Sequence, residues 1–297
     1  MTNAEETKAE SRFWLTLQAL DRRWLYLILV LIVSWLVLQP IEAPNVVSTR
    51  SEALYDYLSG LDEGDVVLVE SNWTNSTRGE SRGQFQALMR LLMRKKIKFV
   101  ITAIADPQAP NIAREVIESI AKEPGSNNYQ ENVDWVMAGY FPNGENHVMS
   151  MVNDVRKELA TKGIEDSPVM EGINDLSDMK AIINVTASAT ILIWYERIRN
   201  KAPIGLMCTA VMSAENIPYF VAGQLEGLVI GAKGGFDFET LLAEEFPDTN
   251  PEFSEYTNFE SGRRYMSPLA FALMLLVLSV VAGNVAMYML RRGGERS

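Results

Sequence analysis

Five polar residues follow predicted strands at the places where a parallel α/β sheet gathers ligands. They are Ser71, Asn72, Asp106, Tyr140 and Ser213. Ligands of such sheets bind at the carboxyl ends of the strands, where the N-termini of helices offer free N–H groups. Hydroxyl, amide and carboxylate groups at this edge could hold a small polar molecule or a glycan. The alternative interpretation of each residue is a helix cap or a turn former.

Two carboxylates at neighbouring strand ends, Glu70 and Asp106, form a candidate pair for acid–base chemistry or for a hard cation. A hydrolase or transferase would need Glu70, Asp106, Tyr140 and Ser213 to converge within a few ångströms. The alternative is that Asp106 caps a helix and Glu70 is an exposed residue at a strand end. We therefore assign no catalytic residue from the sequence.

Several familiar chemistries lack their residues. The chain has one cysteine, Cys208, and one histidine, His147, so it has no intrachain disulfide and no Cys/His zinc site. We expect His147 to be a surface or helix-start residue. Gly79 and Gly83 come too late after the first strand for a dinucleotide loop, and the segment around Lys233 lacks the spacing of a phosphate loop. We expect no cofactor and no metal.

The elements that position these residues begin with the stretch 64–107, which reads as a buried strand, a polar loop, an amphipathic helix and a second buried strand. Similar alternation continues to residue 209. The pattern predicts an α/β fold, a Rossmann-like, doubly wound and mainly parallel sheet of five strands. The predicted strands are 65–70, 98–105, 133–139, 181–185 and 203–209.

After Ser213, three glycines stand four residues apart, at Gly223, Gly227 and Gly231. This spacing places them on one face of a predicted helix, and glycine in register indicates close packing of another backbone. We interpret this face as a packing or oligomer surface. Asp237 is predicted to cap a last short helix that ends near Glu245.

Two apolar stretches bracket the domain. Residues 24–41 contain eighteen residues without a charge, and residues 269–290 contain one strongly polar side chain, Asn284. Both predict membrane spans. A cleaved signal peptide is the alternative for the first stretch, but no small-residue pair follows it, which favours an uncleaved anchor. The predicted organisation is a tail (1–23), a span (24–41), an α/β domain (45–262), a span (267–290) and a tail (291–297).

Charge sets the predicted topology. Basic residues outside the spans, with Arg22 and Arg23 on one side and Arg291 and Arg292 on the other, outnumber those beside the domain. The positive-inside rule then places both termini in the cytoplasm and the domain outside a plasma or inner membrane. Of the 27 basic and 38 acidic side chains, seven and five lie in the tails, which leaves a net charge of −13 between the spans. Such a surface repels phosphate backbones, so no nucleic acid partner is expected.

Three N-glycosylation sequons are present, at Asn72, Asn75 and Asn184.

The chain combines an N-terminal span, the segment STRSEALYDYLSGLDEGDVVLV from Ser48 to Val69, α/β units and a last span ending in Arg291-Arg292. This layout resembles that of auxiliary membrane subunits of gliding-motility-type ABC transporters. That resemblance implies an extracytoplasmic accessory domain without its own catalysis.

The sequence thus favours a non-enzymatic membrane protein whose domain is a scaffold or accessory subunit. Its expected partners are the lipid bilayer and other membrane proteins or copies of itself. A membrane-tethered binder of a small molecule or glycan is the second hypothesis, and a hydrolase or transferase is the third.

Overall fold

The computed structural model describes residues 13–16, 18–19, 21–39, 45–198, 201–247 and 259–294. Most of the predicted N-terminal tail and all of the acidic linker at residues 248–258 lie outside these residues. Two compact units are present: residues 45–262 form one, and the two terminal segments form the other.

The α/β unit is built on one parallel sheet. Its strands are β1 Val66–Asn72, β2 Lys98–Ala103, β3 Trp135–Tyr140, β4 Ala181–Thr186, β5 Ile204–Cys208 and β6 Gly227–Ile230. They are arranged in the order β3-β2-β1-β4-β5-β6. β1 and β4 are buried along their whole length, as expected for central strands covered on both faces. The predicted α/β class and parallel sheet are confirmed, and the strand order is that of the Rossmann fold.

Helices cover both faces of the sheet. Those in this unit are α2 Thr49–Ser59, α3 Arg78–Arg94, α4 Ala109–Ile120, α5 Gly144–Asn153, α6 Val155–Ala160, α7 Ile191–Arg197, α8 Ser213–Val221 and α9 Gly231–Glu245. Side chains from α2, α3, α4 and α9 form one core layer with alternate strand residues such as Val67 and Val69. The other layer combines α5, α6 and α7 with Leu68 and its neighbours.

The prediction of a glycine-faced helix was wrong. Gly223 lies in the turn after α8 with a φ of 72°, Gly227 lies in β6, and Gly231 begins α9 with a φ of 61°. A Cβ atom on Gly227 would lie 2.3 Å from the backbone nitrogen of Leu54 in α2. Close backbone approach is therefore real, but it joins a strand to a helix. The four-residue apolar run 227–230 is too short for its periodicity to separate strand from helix, and the predicted five-stranded sheet has six strands.

Two helix boundaries also differ from the predictions. The helix expected from Glu145 to Lys162 is two helices, because Asp154 is extended and its carboxylate caps α6 by accepting from the N–H of Lys157. Asp237 lies inside α9 and is fully buried, so it caps nothing there. Its carboxylate instead accepts from the N–H of Ser48, the residue preceding α2, at 3.1 Å.

In the other unit, α1 Arg22–Leu38 and α10 Phe259–Gly294 are helical. Within the described residues, one helix, Met266–Arg292, is long and apolar enough to cross a membrane. The helix α1 has 17 residues, about 26 Å at the rise of an α-helix, and is shorter than the roughly 30 Å hydrocarbon core of a bilayer. The second predicted span is therefore supported as an apolar helix, whereas the first is shorter than expected.

Candidate functional site

The strand order reverses its direction between β1 and β4. From β1 the chain continues to β2 and β3 on one side, and β4, β5 and β6 extend on the other. Helix connections leave the two central strands on opposite sides of the sheet at such a switch point, which opens a crevice at the carboxyl ends of the strands. The residues of β1 and β4 at this edge are therefore candidates for a functional site.

Glu70 lies at this edge of β1, and its side chain has no exposed surface. One carboxylate oxygen accepts from Asn72 Nδ2 and from Asn184 Nδ2, the latter at 2.8 Å. The other oxygen accepts from the indole Nε1 of Trp194 at 2.6 Å. Glu70 of β1 thus connects its own strand to β4 through Asn184 and to helix α7 through Trp194.

All three partners of Glu70 are neutral. Burial raises the pKa of its carboxyl group to about 7, because desolvation disfavours the charged form and the three hydrogen bonds offset only part of that cost. No charged residue enters this balance. The group therefore changes its protonation state near neutral pH inside the fold.

Two further oxygen atoms flank Glu70. In the sheet register Glu70 is paired with Thr102 of β2 on one side and with Asn184 of β4 on the other. Register partners place their side chains on the same face of a sheet. Among the described residues, Thr102 Oγ1 and Asn184 Oδ1 have no hydrogen-bond partner, although both are buried. Both can accept a hydrogen bond.

A second polar layer closes the crevice above Glu70. Asn72 Oδ1 accepts from the backbone N–H groups of Ile104 and Ala105, at 2.8 and 3.0 Å, and Asn72 Nδ2 also donates to Thr190 Oγ1 at 3.1 Å. The hydroxyl of Thr186 lies 3.1 Å from that of Thr190 and accepts from the backbone N–H of Ser188. This layer connects β1 to the residue after β2 and to the start of α7.

The structure brings only one of the five predicted site residues into this network, and that residue is Asn72. Ser71 is buried on the opposite face of β1. Asp106 accepts from the N–H of Gln108 at 2.7 Å on the loop before α4, which is the predicted turn-forming role. Tyr140 ends β3, and Ser213 begins α8.

The four residues proposed as a catalytic constellation do not converge. Tyr140 ends β3 and Ser213 follows β5, and three strands separate these two. Four strand spacings amount to roughly 19 Å. The interpretation of Glu70 as an exposed strand-end residue was wrong, because it is fully enclosed. The predicted Glu70–Asp106 pair is likewise replaced by contacts of Glu70 with neutral amides and an indole.

His147 lies in the first turn of α5, which confirms the helix-start alternative of its prediction, but it is buried and is not a surface residue. Its Nδ1 lies 2.8 Å from Glu158 of α6, and its ring stacks on Phe141 with 3.7 Å between the centroids. Burial lowers the pKa of His147, and the contact with Glu158 offsets part of that shift. The pair joins α5 to α6.

Asn184 and Trp194 were not predicted as members of the site. A signal for Asn184 existed, since it interrupts the apolar run AIINV of a strand read as buried. The sequence contains no such signal for Trp194, because an apolar residue on a short helix is expected in the core. The sequons at Asn72 and Asn184 fall on buried side chains, whereas Asn75 is exposed.

A second buried carboxylate cluster lies in the opposite core layer. Arg90 of α3 donates to Glu239 of α9 at 2.5 Å and to both oxygens of Glu123 at 2.7 and 2.8 Å. All three side chains are less than one tenth exposed. Burial lowers the pKa of Arg90, but the two carboxylates outweigh it and hold that pKa above its ordinary value. This cluster ties α3 to α9 and to the residues after α4.

No group of three or more His, Cys, Asp or Glu side chains in the described part of the chain is placed to hold a metal ion. A surface depression beside Pro168 is lined by Arg156, Glu165 and Glu171. Lys98, the first residue of β2, donates to the carbonyl of Pro168, so this depression belongs to the amino edge of the sheet. It is separate from the crevice.

A scan against models of protein families and a search of curated proteins find no match to this chain. The class of the protein therefore follows from the fold and the site alone. It is an α/β protein with a six-stranded parallel sheet of Rossmann order, and one of its helices is long and apolar enough to cross a membrane.

Proposed function

We propose that this chain is a membrane-tethered protein whose α/β domain serves as a scaffold or accessory subunit of a membrane complex. The observation that carries the proposal is the helix Met266–Arg292. Large apolar side chains along it are exposed, among them Leu273, Leu276, Val277 and Val280. Exposed apolar surface of this extent marks contact with lipid or with another protein.

The crevice supports a role other than small-molecule chemistry. The place where this fold accommodates ligands is filled by the protein's own side chains, since Glu70, Asn72 and Asn184 are buried and bonded to one another. The loop after β1 also lacks the glycine-rich turn of dinucleotide-binding domains. The resemblance to auxiliary subunits of gliding-motility-type ABC transporters implies the same accessory role.

The tether is tested by membrane fractionation of the full chain. We expect it to stay with membranes through carbonate extraction. Val277→Arg should increase the share that is released, because an arginine at the centre of a span costs about 2.5 to 3.5 kcal/mol, and α1 then remains as the second anchor proposed below. Val133→Arg, at an exposed position of the α/β domain, is the matched control and should stay membrane-bound. Release of the wild-type chain by carbonate would refute the tether.

We further propose that α1 acts as a second anchor and that both termini face the cytoplasm, with the domain on the other side. The flanking arginines described above support this topology. Cys208 is buried, so the native chain has little background toward an impermeant maleimide. Val133→Cys should be labelled on intact cells, whereas Ser297→Cys should require permeabilisation. The opposite labelling pattern would invert the topology.

The scaffold role is tested by native mass spectrometry of the chain purified in mild detergent. We expect a defined oligomer or a stoichiometric complex with another membrane protein. A monomer that retains no partner at any detergent concentration would argue against the role.

A second candidate function rests on the neutral polar layer of the crevice. Ser188 and Thr190 are partly exposed at the rim of the crevice, and the buried Thr186 and Asn72 contact them without a charge. Neutral hydroxyl groups at this rim suit a polyhydroxyl ligand such as a glycan. Thermal-shift measurements with sugars should then give a stabilising ligand, and Ser188→Ala should reduce that shift. Ser76→Ala, on the exposed loop after β1, is the control.

A further inference from the structure

The position of Glu70 has a consequence that extends beyond the scaffold role. The carboxyl group is covered by interior strands and by one helix. β1, β2 and β4 each pair with a strand on both sides, so none of them can move without breaking the sheet. Within the described residues, α7 is the one helix that hydrogen-bonds to Glu70, through Trp194.

Helix α7 is the covering element that is not held by sheet pairing. It has seven residues, and Ile191 and Trp194 are its buried side chains. The residues that connect it to β4, 187–190, are partly or fully exposed. Short helices with few buried contacts belong to the least stable parts of a fold. Water can therefore reach Glu70 at the lowest cost when α7 is displaced.

The two protonation states of Glu70 need different hydrogen-bond partners in the closed site. The ionised carboxylate accepts from three N–H donors, as described above. A protonated carboxyl group must donate its hydrogen. Its register partners Thr102 and Asn184 each carry an acceptor oxygen that has no hydrogen-bond partner among the described residues. Only the ionised form has to bury a charge, because Glu70 has no exposed surface.

The groups that face Glu70 directly do not titrate together with it near neutral pH. Thr102 of β2, Asn184 of β4 and Trp194 of α7 do not titrate in the neutral range. Of the titratable groups in the same layer, burial raises the pKa of Cys208 to about 12 and also raises that of Tyr195 on α7, while burial lowers that of His147 on α5. Glu158 pairs with His147, and Glu196, Arg197 and Glu145 lie toward the outside of α7 and α5.

We propose that Glu70 is a proton-controlled latch for α7. When the carboxyl group is protonated, α7 stays closed on the sheet. Ionisation favours its release, which opens the carboxyl ends of β1 and β4 at the switch point.

The direction follows from linkage. In the closed state burial holds the pKa of Glu70 near 7, whereas a solvated carboxyl group in the open state titrates near 4.5. Between these values each pH unit raises the ratio of open to closed molecules by up to tenfold, and the full range gives about 300-fold. The bias is absent below the lower value and complete above the upper one.

Hydrogen–deuterium exchange of the full chain in nanodiscs, between pH 5 and pH 8, tests the latch. After correction for intrinsic exchange, we expect protection of the α7 amides in the wild type to decrease as pH rises from 5 to 7, by up to tenfold per pH unit. Glu70→Gln, a neutral isostere of the protonated form, should keep α7 protected across the range. Glu145→Gln removes the exposed carboxylate that pairs with Arg197 of α7 and should behave like the wild type.

Three outcomes would overturn the latch: pH-independent protection of α7 in the wild type, a Glu70→Gln protein that loses protection as the wild type does, or equal loss in α7 and in β1 and β5. The last result would indicate global destabilisation. A second measurement does not depend on the variant's stability: infrared difference spectra of the wild type should show the carbonyl band of a buried protonated carboxyl group that titrates near pH 7. A midpoint near 4.5 would also overturn the proposal.

Discussion

Glu70 and Glu239 lie in opposite core layers of the same domain, and both are enclosed almost completely. Their partners differ. Glu239 faces the guanidinium of Arg90, which also pairs with Glu123. Burial raises the pKa of Glu239, and the charge of Arg90 offsets part of that shift. Glu70 faces two amides and an indole, which can donate hydrogen bonds but cannot balance a charge.

The difference shows that burial alone does not decide what a carboxyl group does. With an arginine beside it, a buried carboxylate becomes a fixed link between helices, because removing either partner leaves an isolated charge. Without one, the group can take up a proton near neutral pH, and burying its charged form remains costly. The Arg90 cluster is therefore suited to holding α3 and α9 together, and the Glu70 site is suited to a response to pH.

The largest expected effect is at the ion cluster. Arg90→Met leaves Glu123 and Glu239 buried without their cation, and we expect a loss of about 3 to 5 kcal/mol in the free energy of unfolding. Urea unfolding in detergent at pH 7.5 measures it. A loss no larger than that of a surface variant would show that water or another group satisfies the two carboxylates and would remove the contrast with Glu70.

The next effect is the pH dependence caused by Glu70. Its pKa is higher in the fold than in the unfolded chain, so the stability linked to it is present at low pH and is lost as pH rises toward 7. Relative to Glu70→Gln, the wild type should lose roughly 3 kcal/mol between pH 4.5 and 7.5. Urea unfolding of both proteins at each pH gives the difference. Parallel stability curves would contradict the neutral environment assigned to Glu70.

Trp194→Phe removes one of the three donors to Glu70. We expect a cost of about 2 kcal/mol at pH 8, where the carboxylate is ionised, and a smaller cost at pH 5, because hydrogen bonds to charged groups are the stronger ones. Trp73→Phe is the matched control. Trp73 is equally buried, and its indole nitrogen has no partner among the described residues. Its cost should be the same at both pH values.

The smallest effect is at a solvated ion pair. Glu63 pairs with Lys96 at 2.9 Å, and both side chains are more than half exposed. Glu63→Gln should change the free energy of unfolding by less than about 1 kcal/mol and should lose even that at high salt. A cost comparable to that of Arg90→Met would mean that exposure does not separate these two kinds of ion pair.

Much of the fold could be predicted because its signals are local. Strand β1 carries a continuous apolar run, and the apolar stretch 269–290 matches the helix Met266–Arg292. β6 could not be predicted, since four apolar residues fit a helix as well as a strand. The segment is a strand because it pairs with β5 and because Gly227 packs closely against α2. Both contacts belong to the tertiary structure.

The candidate site was predictable in its position but not in its members. The carboxyl edge of the sheet is the right place, and Asn72 belongs to the network. Ser71 and Asp106 do not, because strand alternation turns Ser71 to the other face and Asp106 closes a turn. Glu70 was read as exposed because glutamate is rarely buried. Only the pairing of β1 with β4 and the placement of α7 enclose it.

The amino-acid sequence by itself determined the alternation of strands and helices, the acidic surface and the apolar C-terminal helix, since each depends on residue type and spacing along the chain. Tertiary structure decided which buried charges have a counter-charge. Arg90 meets Glu239 across 149 positions of sequence, and Trp194 meets Glu70 across 124. Electrostatic balance depends on distance in space and on exclusion of water, and neither can be read from the order of residues.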